Sequence, residues 1–505
     1  MRRSSLLKSL PARSALSARS ALSARSALSA LSARSALSAL SALSVALAPH
    51  AAHASGFVVA RFGGEHGHPT TNNLTALYYN PAALSLGKGT RLMVDGILAY
   101  RGVDYTRPAD ALGDPSNTDP AYIIANSGTA QLRNYAASPF IAVASDFGVP
   151  RLNIALGLSA PFGGGASWSK STVLTSEQEA AHPGASDGPQ RWWSIDSSLK
   201  VIYFTLAGSY KVHKRLSFGL SVNYASASID TVRARNTDGS DDLVDPVTGA
   251  LKEGRSYLSA KGGALSVGAG VLWRPAKGVR VGYSYQSSPG FGEDLRLKGE
   301  LSPLVSNQPA PAEPTSVEFL QALPDVHRLG ASWRINKRWE ARLFGDYVRW
   351  SLFKRQCVVQ EEGDPCEIDA NDVARSAVTL NIARAWQDAW GVRGGVSYWL
   401  TPAVETYAGA GYDGNAAPDA GADPSLFDMD KYSAALGARV TLLDGALRLS
   451  ATYTQVFYET RTIEVVRDAS GAPTNGFKSI SKGPSAAGTY EQAVSVGNLN
   501  AEYRF

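Results

Sequence analysis

Between Arg91 and Phe505 the chain alternates apolar and polar residues with a period of two, segment after segment. Leu216, Phe218, Leu220, Val222 and Tyr224 alternate with Ser217, Gly219, Ser221 and Asn223. Leu152, Ile154, Leu156 and Leu158 alternate with Asn153, Ala155, Gly157 and Ser159; Val279, Val281, Tyr283 and Tyr285 alternate with Arg280, Gly282, Ser284 and Gln286. Side chains on a strand point to opposite faces in turn, so each segment is a strand with one apolar and one polar face. The chain ends the same way: Leu499, Ala501, Tyr503 and Phe505 point one way, Asn498, Asn500, Glu502 and Arg504 the other. A one-residue slip would put each apolar row on the wrong side.

Tight polar turns punctuate the strands at Gly148–Leu152, His213–Arg215, Pro275–Gly278, Asn336–Arg338, Leu400–Ala403 and Leu443–Ala446. Six such turns join seven strand pairs, which predicts fourteen strands. The intervening connections, near 106–134, 164–190, 233–254, 301–320, 353–386, 415–429 and 465–488, are rich in Gly, Pro, Asp, Ser and Asn, as surface loops are. Short turns at one end and long loops at the other, with an even strand number, predict an all-β, antiparallel transmembrane barrel of the outer-membrane type. Trp273, Trp339, Trp350, Tyr398 and Trp399 are expected in its interfacial girdles. Strands approaching twenty residues are too long for a soluble sandwich or propeller.

Composition fits this reading. Gly (48) and Tyr (21) are plentiful, Cys (2) and Met (3) scarce, and past the N-terminal segment no apolar run of eighteen residues offers a membrane helix. The formal charge of +5 is misleading, because residues 1–54 carry seven cations and no acid. The remainder has 42 basic and 44 acidic residues, a net of −2, which gives no basic excess for nucleic acid. Residues 1–54 combine Ser-Ala-Leu and Ser-Ala-Arg repeats with the mildly apolar stretch 35–48 and Ala52-His-Ala54, the pattern of a secretory signal with the mature chain starting at Ser55. In an exported chain, Cys357 and Cys366 are expected to form a local disulfide.

Residues 55–90 break the barrel pattern. Leu77, Tyr78, Tyr79 and Leu84 are too apolar for a dangling tail, so this segment is expected inside the barrel as a plug, ahead of the barrel at 91–505. Ser55-Gly-Phe57 and Tyr79-Asn-Pro-Ala-Ala-Leu84, followed in order by Ala160-Pro-Phe-Gly163, Arg191-Trp-Trp-Ser-Ile-Asp196, Leu323-Pro-Asp-Val-His327 and Trp386-Gln-Asp-Ala-Trp390, resemble the FadL/TodX-type outer-membrane transporters of long-chain fatty acids and other hydrophobic compounds. The resemblance spans the mature chain. It implies a fourteen-stranded barrel with an N-terminal hatch, in the outer membrane of a Gram-negative bacterium. The family's Gly- and Ala-rich hatch repeats are replaced here by Glu65–Asn73.

An amphiphile gains nothing from a water-filled pore; it needs an apolar cleft, worth about 0.8 kcal/mol per buried methylene, and a release route. The apolar strand at 200–206 offers Ile202, Phe204 and Leu206 as a tail-binding surface, with Trp192 and Trp193 beside it. The resemblance places a wall bend at Pro161, Phe162 and Gly163, with Asn80, Pro81 and Ala82 as the hatch side of that gate. Arg191 and Arg233 are candidates for holding a carboxylate, since a guanidinium binds one bidentately. Glu340, Arg342, Asp346, Arg393, Glu405 and Arg448 are expected to pin the plug. His66, His68, His182, His213 and His327 show no Ser-His-Asp setting, so no enzyme activity, metal or cofactor is expected. The expected partners are a hydrophobic small molecule and membrane lipid, with the barrel a monomer; the alternative is a general diffusion porin.

Overall fold

A computed structural model describes residues 61–505 apart from 115, 237, 305–312, 361, 364, 367–376, 470 and 475–482. The expected signal segment and the start of the hatch at 55–60 lie outside the described residues.

The wall begins with six long strands: β1 (Arg91–Arg107), β2 (Gly128–Ser145), β3 (Leu152–Ser167), β4 (Asp196–His213), β5 (Leu216–Arg235) and β6 (Gly254–Trp273). Four staves follow, each made of two strands: β7 (Val279–Gln286) with β8 (Leu295–Leu304), β9 (Thr315–Gln321) with β10 (Val326–Arg334), β11 (Trp339–Val348) with β12 (Arg355–Val359), and β13 (Val378–Ala383) with β14 (Ala389–Trp399). Then come β15 (Val404–Asp413), β16 (Lys431–Leu442), β17 (Leu447–Tyr458) continued by β18 (Arg461–Ile463), a small hairpin of β19 (Val466–Arg467) and β20 (Pro473–Thr474), and β21 (Gly488–Arg504). Counting each broken stave once gives fourteen, all antiparallel. The barrel closes where β1 pairs with β21, from Arg91 opposite Arg504 to Thr106 opposite Thr489.

Closure pairs the first and last strands, removing the two terminal edges that a bilayer would not tolerate. The alternation read from the sequence sets the two faces. Phe218, Leu220, Val222 and Leu499 are exposed on the outside, while Asn223, Asn498, Asn500 and Glu502 are buried within. All six tight turns fall where expected. Trp273 and Trp339 face outward, but Trp350 does not join a girdle. It is buried inside, stacked edge-on against Trp386 with ring centroids 4.8 Å apart.

Two of the four breaks in the double staves have a local cause. Pro289 and Pro324 cannot donate to a ladder, and Ser287–Asp294 and Ala322–Asp325 interrupt their strands at these prolines. The motifs Leu323–His327 and Trp386–Trp390 both straddle such breaks. Beyond them β8, β9, β12 and β13 extend the wall, so part of the stretch expected as a loop at 353–386 is sheet. Cys357 on β12 and Cys366 are bonded to each other.

Residues 61–90 pack within the barrel. Phe62, Leu74, Leu77 and Leu84 are buried among Met93, Ile97, Phe140 and Leu272 of the wall. A single helical turn (Ala76–Tyr79) leads to Asn80, whose side chain caps the 3-10 turn Pro81–Leu86 by accepting from Ala82 N. No helix among the described residues is long and apolar enough to cross a membrane.

Candidate functional site: a lumenal cavity beside an interrupted wall

A cavity of about 130 Å³ lies inside the wall. Leu199, Ile229, Leu258, Phe319, Leu380 and Phe427 give it an apolar lining, Trp193 adds an aromatic wall, and Gly163–Gly165 of β3 form part of its side. Three cations reach it. Arg384 is fully engaged: it donates to Asp423 at 2.8 Å, to Gln356 at 2.8 and 3.0 Å, to Ser425 at 3.2 Å and to the Gly421 carbonyl at 3.2 Å. Arg101 donates to Gln492 at 3.0 Å and lies over the Phe427 ring. Arg233 lines the same cavity and makes no hydrogen bond or ion pair among the described residues.

Beside this cavity the wall is interrupted. Ser159 of β3 stands opposite Tyr203, and Phe162 opposite Val201, so Ala160 and Pro161 bulge against the single residue Ile202. A bulge bends its strand away from the ladder. The β2–β3 ladder runs only from Ser145 opposite Ile154 to Phe140 opposite Ser159. Past the bulge the two strands meet through isolated contacts. Ser138 donates to the Ala160 carbonyl at 3.2 Å, Asn134 to the Gly165 carbonyl at 3.3 Å, and Leu132 bridges to Trp168. Of the residues expected at a bend, Pro161 lies in the bulge, Phe162 and Gly163 pair regularly with Val201 and Lys200, and Gly163 lines the cavity.

The other expected residues divide. Trp193 and Arg233 line the cavity. Ile202, Phe204 and Leu206 do not: Phe204 and Leu206 are about half exposed on the outer face, and Val201 and Tyr203 are the buried, inward pair. A strand apolar on both faces has no polar row to mark the lumen, so alternation alone could not tell cavity from lipid. Arg191 sits in a loop-to-loop tie. It donates to Glu253 at 3.0 Å, to the carbonyls of Ala125 and Gly188 at 2.5 and 3.1 Å, and to Asn126 at 3.0 Å. Burial draws its pKa below the usual guanidinium value, and Glu253 opposes that shift. Trp192 stacks on the same guanidinium and donates to Asn126 at 2.9 Å. Arg101 and Arg384 carried no signal in the sequence that set them apart from other arginines.

Asn80, Pro81 and Ala82 dock away from the gap. Asn80 donates to the carbonyls of Pro69 at 2.9 Å and Val271 at 3.0 Å. The wall there is stripped to glycine: a Cβ on Gly270 would lie 2.0 Å from Asn80 Oδ1, and one on Gly219 2.2 Å from Ala82 N. Leu77 of the hatch fills the space over Gly157 of β3. Charges fix the rest of the hatch. Glu65 pairs with Arg342 at 3.6 Å and Arg61 with Asp413 at 3.7 Å, beside Arg393, while His66 is hydrogen-bonded to Glu405 at 2.9 Å. Arg328 covers the Tyr78 ring and pairs with Asp346. Of the remaining expected pins, Glu340 instead joins Arg280 within the wall, and Arg448 joins Glu502.

A closed barrel with a lumenal hatch, a greasy cavity and a local gap in its wall defines an outer-membrane transport protein. The sequence matches the family described as "Outer membrane protein transport protein (OMPP1/FadL/TodX)" over residues 35–505, and the chain belongs to that family of outer-membrane transporters of hydrophobic compounds; the family is one of channels and not of enzymes. Among solved structures, the chain is similar to a Pseudomonas aeruginosa FadL homologue (TM-score 0.67, 18% identity, covering 89% of this chain and 100% of that one). It is also similar to the P. putida toluene transporter TodX (TM-score 0.59, 16% identity, 89% and 97%) and the Ralstonia pickettii toluene transporter TbuX (TM-score 0.55, 15% identity, 89% and 98%). No curated protein matches the sequence significantly.

Proposed function

We propose that this barrel takes up amphiphiles with a long apolar tail and a carboxylate head, such as long-chain fatty acids, and releases them sideways into the membrane. The carrying observation is Arg233, a cation with no hydrogen-bond or ion-pair partner among the described residues, in a cavity whose other two cations, Arg101 and Arg384, are already engaged. Arg233 is half-buried, and a carboxylate ligand would pair with it while its tail contacts Leu258, Phe319 and Phe427. A neutral hydrocarbon would fill the same space and leave Arg233 unpaired. Trp193 and the Gly163–Gly165 arm then lead toward the β2–β3 gap, through which a tail can pass without entering water. Pro161 supports this route because it has no N–H to complete the ladder. The packed, ion-paired hatch argues against the diffusion-porin alternative.

The test is binding of oleate and of toluene to purified protein by calorimetry. Arg233→Gln is expected to weaken oleate about tenfold or more, the loss of one charge-assisted hydrogen bond, and to leave toluene unchanged. Equal effects on both ligands would remove the carboxylate reading.

A further inference from the structure

The short-turn end of the barrel carries a charge pattern that cargo transport does not explain. Three neighbouring turns are basic. The β4–β5 turn has Lys211, Lys214 and Arg215, the β6–β7 turn Arg274 and Lys277, and the β10–β11 turn Lys337 and Arg338. The stretches 208–216, 274–279 and 334–339 contain no acid, and none of these seven cations forms an ion pair among the described residues. The turns are physically joined: Arg274 N donates to the Arg215 carbonyl at 2.7 Å, and Arg334 N to the Gly278 carbonyl at 2.8 Å. They form one arc rather than three scattered patches. Glu340 of β11 is already held by Arg280 and Arg334.

The rest of the rim differs. The β2–β3 turn, joined to the arc by Lys211 N donating to the Arg151 carbonyl at 2.9 Å, carries Arg151 beside Asp146, whereas the β14–β15 turn, Leu400–Ala403, has no charge, and the β16–β17 turn, Leu443–Ala446, carries only Asp444. The cations of the short turns are therefore concentrated on one side of the rim. Directly beside them, Tyr210, Trp273, Trp333 and Trp339 are exposed on the outer face. Aromatic rings at that level mark the boundary between hydrocarbon and headgroups, and short turns of outer-membrane barrels face the periplasm. The arc thus lies at the headgroup level of the inner leaflet.

We infer that the Lys211–Arg215, Arg274–Lys277 and Lys337–Arg338 arc binds anionic phospholipid headgroups of the periplasmic leaflet. Clustered Lys and Arg next to a membrane attract anionic lipid strongly and within a Debye length. The flanking tryptophans set the arc's depth against lipid rather than against a soluble protein.

The test uses the full mature chain, purified and exchanged into mixed micelles with equal phosphatidylglycerol and phosphatidylethanolamine, with retained lipid read by native mass spectrometry. The wild type is expected to retain phosphatidylglycerol preferentially, and less so as salt rises. Replacing Lys211, Lys214, Arg215, Lys277, Lys337 and Arg338 by Gln is expected to reduce the preference about tenfold, whereas Lys170→Gln in a long loop leaves it intact. Heat-modifiable gel migration verifies that the variant is folded, and a smaller set (Lys214, Lys277 and Lys337 to Gln) repeats the test if it is not. Equal retention of both lipids by the wild type would overturn the inference. So would a preference that survives neutralisation, or capture of an acidic periplasmic protein without any lipid preference.

Discussion

Asn80 shows how one polar side chain holds an apolar plug. It joins two carbonyls and one amide N–H that packing has removed from water, and it is itself fully buried. Asn80→Ala leaves those groups without their partner, at a cost of about 1–3 kcal/mol to hatch docking. Hydrogen exchange is expected to speed up at residues 74–86 and remain slow in the barrel strands; unchanged protection in the hatch would contradict this role. Arg233 illustrates the opposite state, a charge without a hydrogen-bond or ion-pair partner among the described residues, which we propose receives the ligand head. At this scale the sequence was only partly legible. Asn80 and Arg233 stood out by motif and position, but Arg191 looked equally suited to a carboxylate. Only the fold revealed that its donors are consumed by Glu253, Asn126 and two carbonyls.

Individual strands were easier to read, because a lipid-facing row and a polar lumenal row leave a period of two. The reading failed where the physics removed that contrast. Around 200–206 both faces are apolar, so Ile202, Phe204 and Leu206 were assigned inward although two of them are exposed to lipid. The broken staves were hidden for a different reason. Pro289 and Pro324 mark interruptions, but the sheet resumes beyond them in short strands that read as loop. One of these, β12, carries Cys357, whose link to Cys366 clips the loop that follows. Non-reducing mass spectrometry of the exported protein is expected to find that bond, and two free thiols would refute it.

The whole molecule combines a closed wall, a docked hatch and a gap in one strand pair. Its strand number followed from the six turns alone, since each short turn fixes one pair of neighbours. The hatch's seat was not legible, because its docking surface is made by wall glycines far apart in sequence, Gly157, Gly219 and Gly270. Deleting residues 55–85 is expected to leave a barrel that assembles and shows heat-modifiable migration, since the strands pair without the hatch. The same deletion should change oleate uptake and raise the permeability of liposomes to small hydrophilic solutes. A barrel as tight and as active as the wild type would show that the hatch closes nothing.

The most direct test locks the wall beside the cavity. Asn134 already reaches Gly165 across the gap at 3.3 Å, so Asn134→Cys with Gly165→Cys places two thiols on its opposite sides. Uptake of labelled oleate by intact cells should fall sharply when this pair is oxidised and recover on mild reduction, with each single variant unaffected. Uptake that continues at full rate with the pair demonstrably cross-linked would contradict sideways release through β2 and β3.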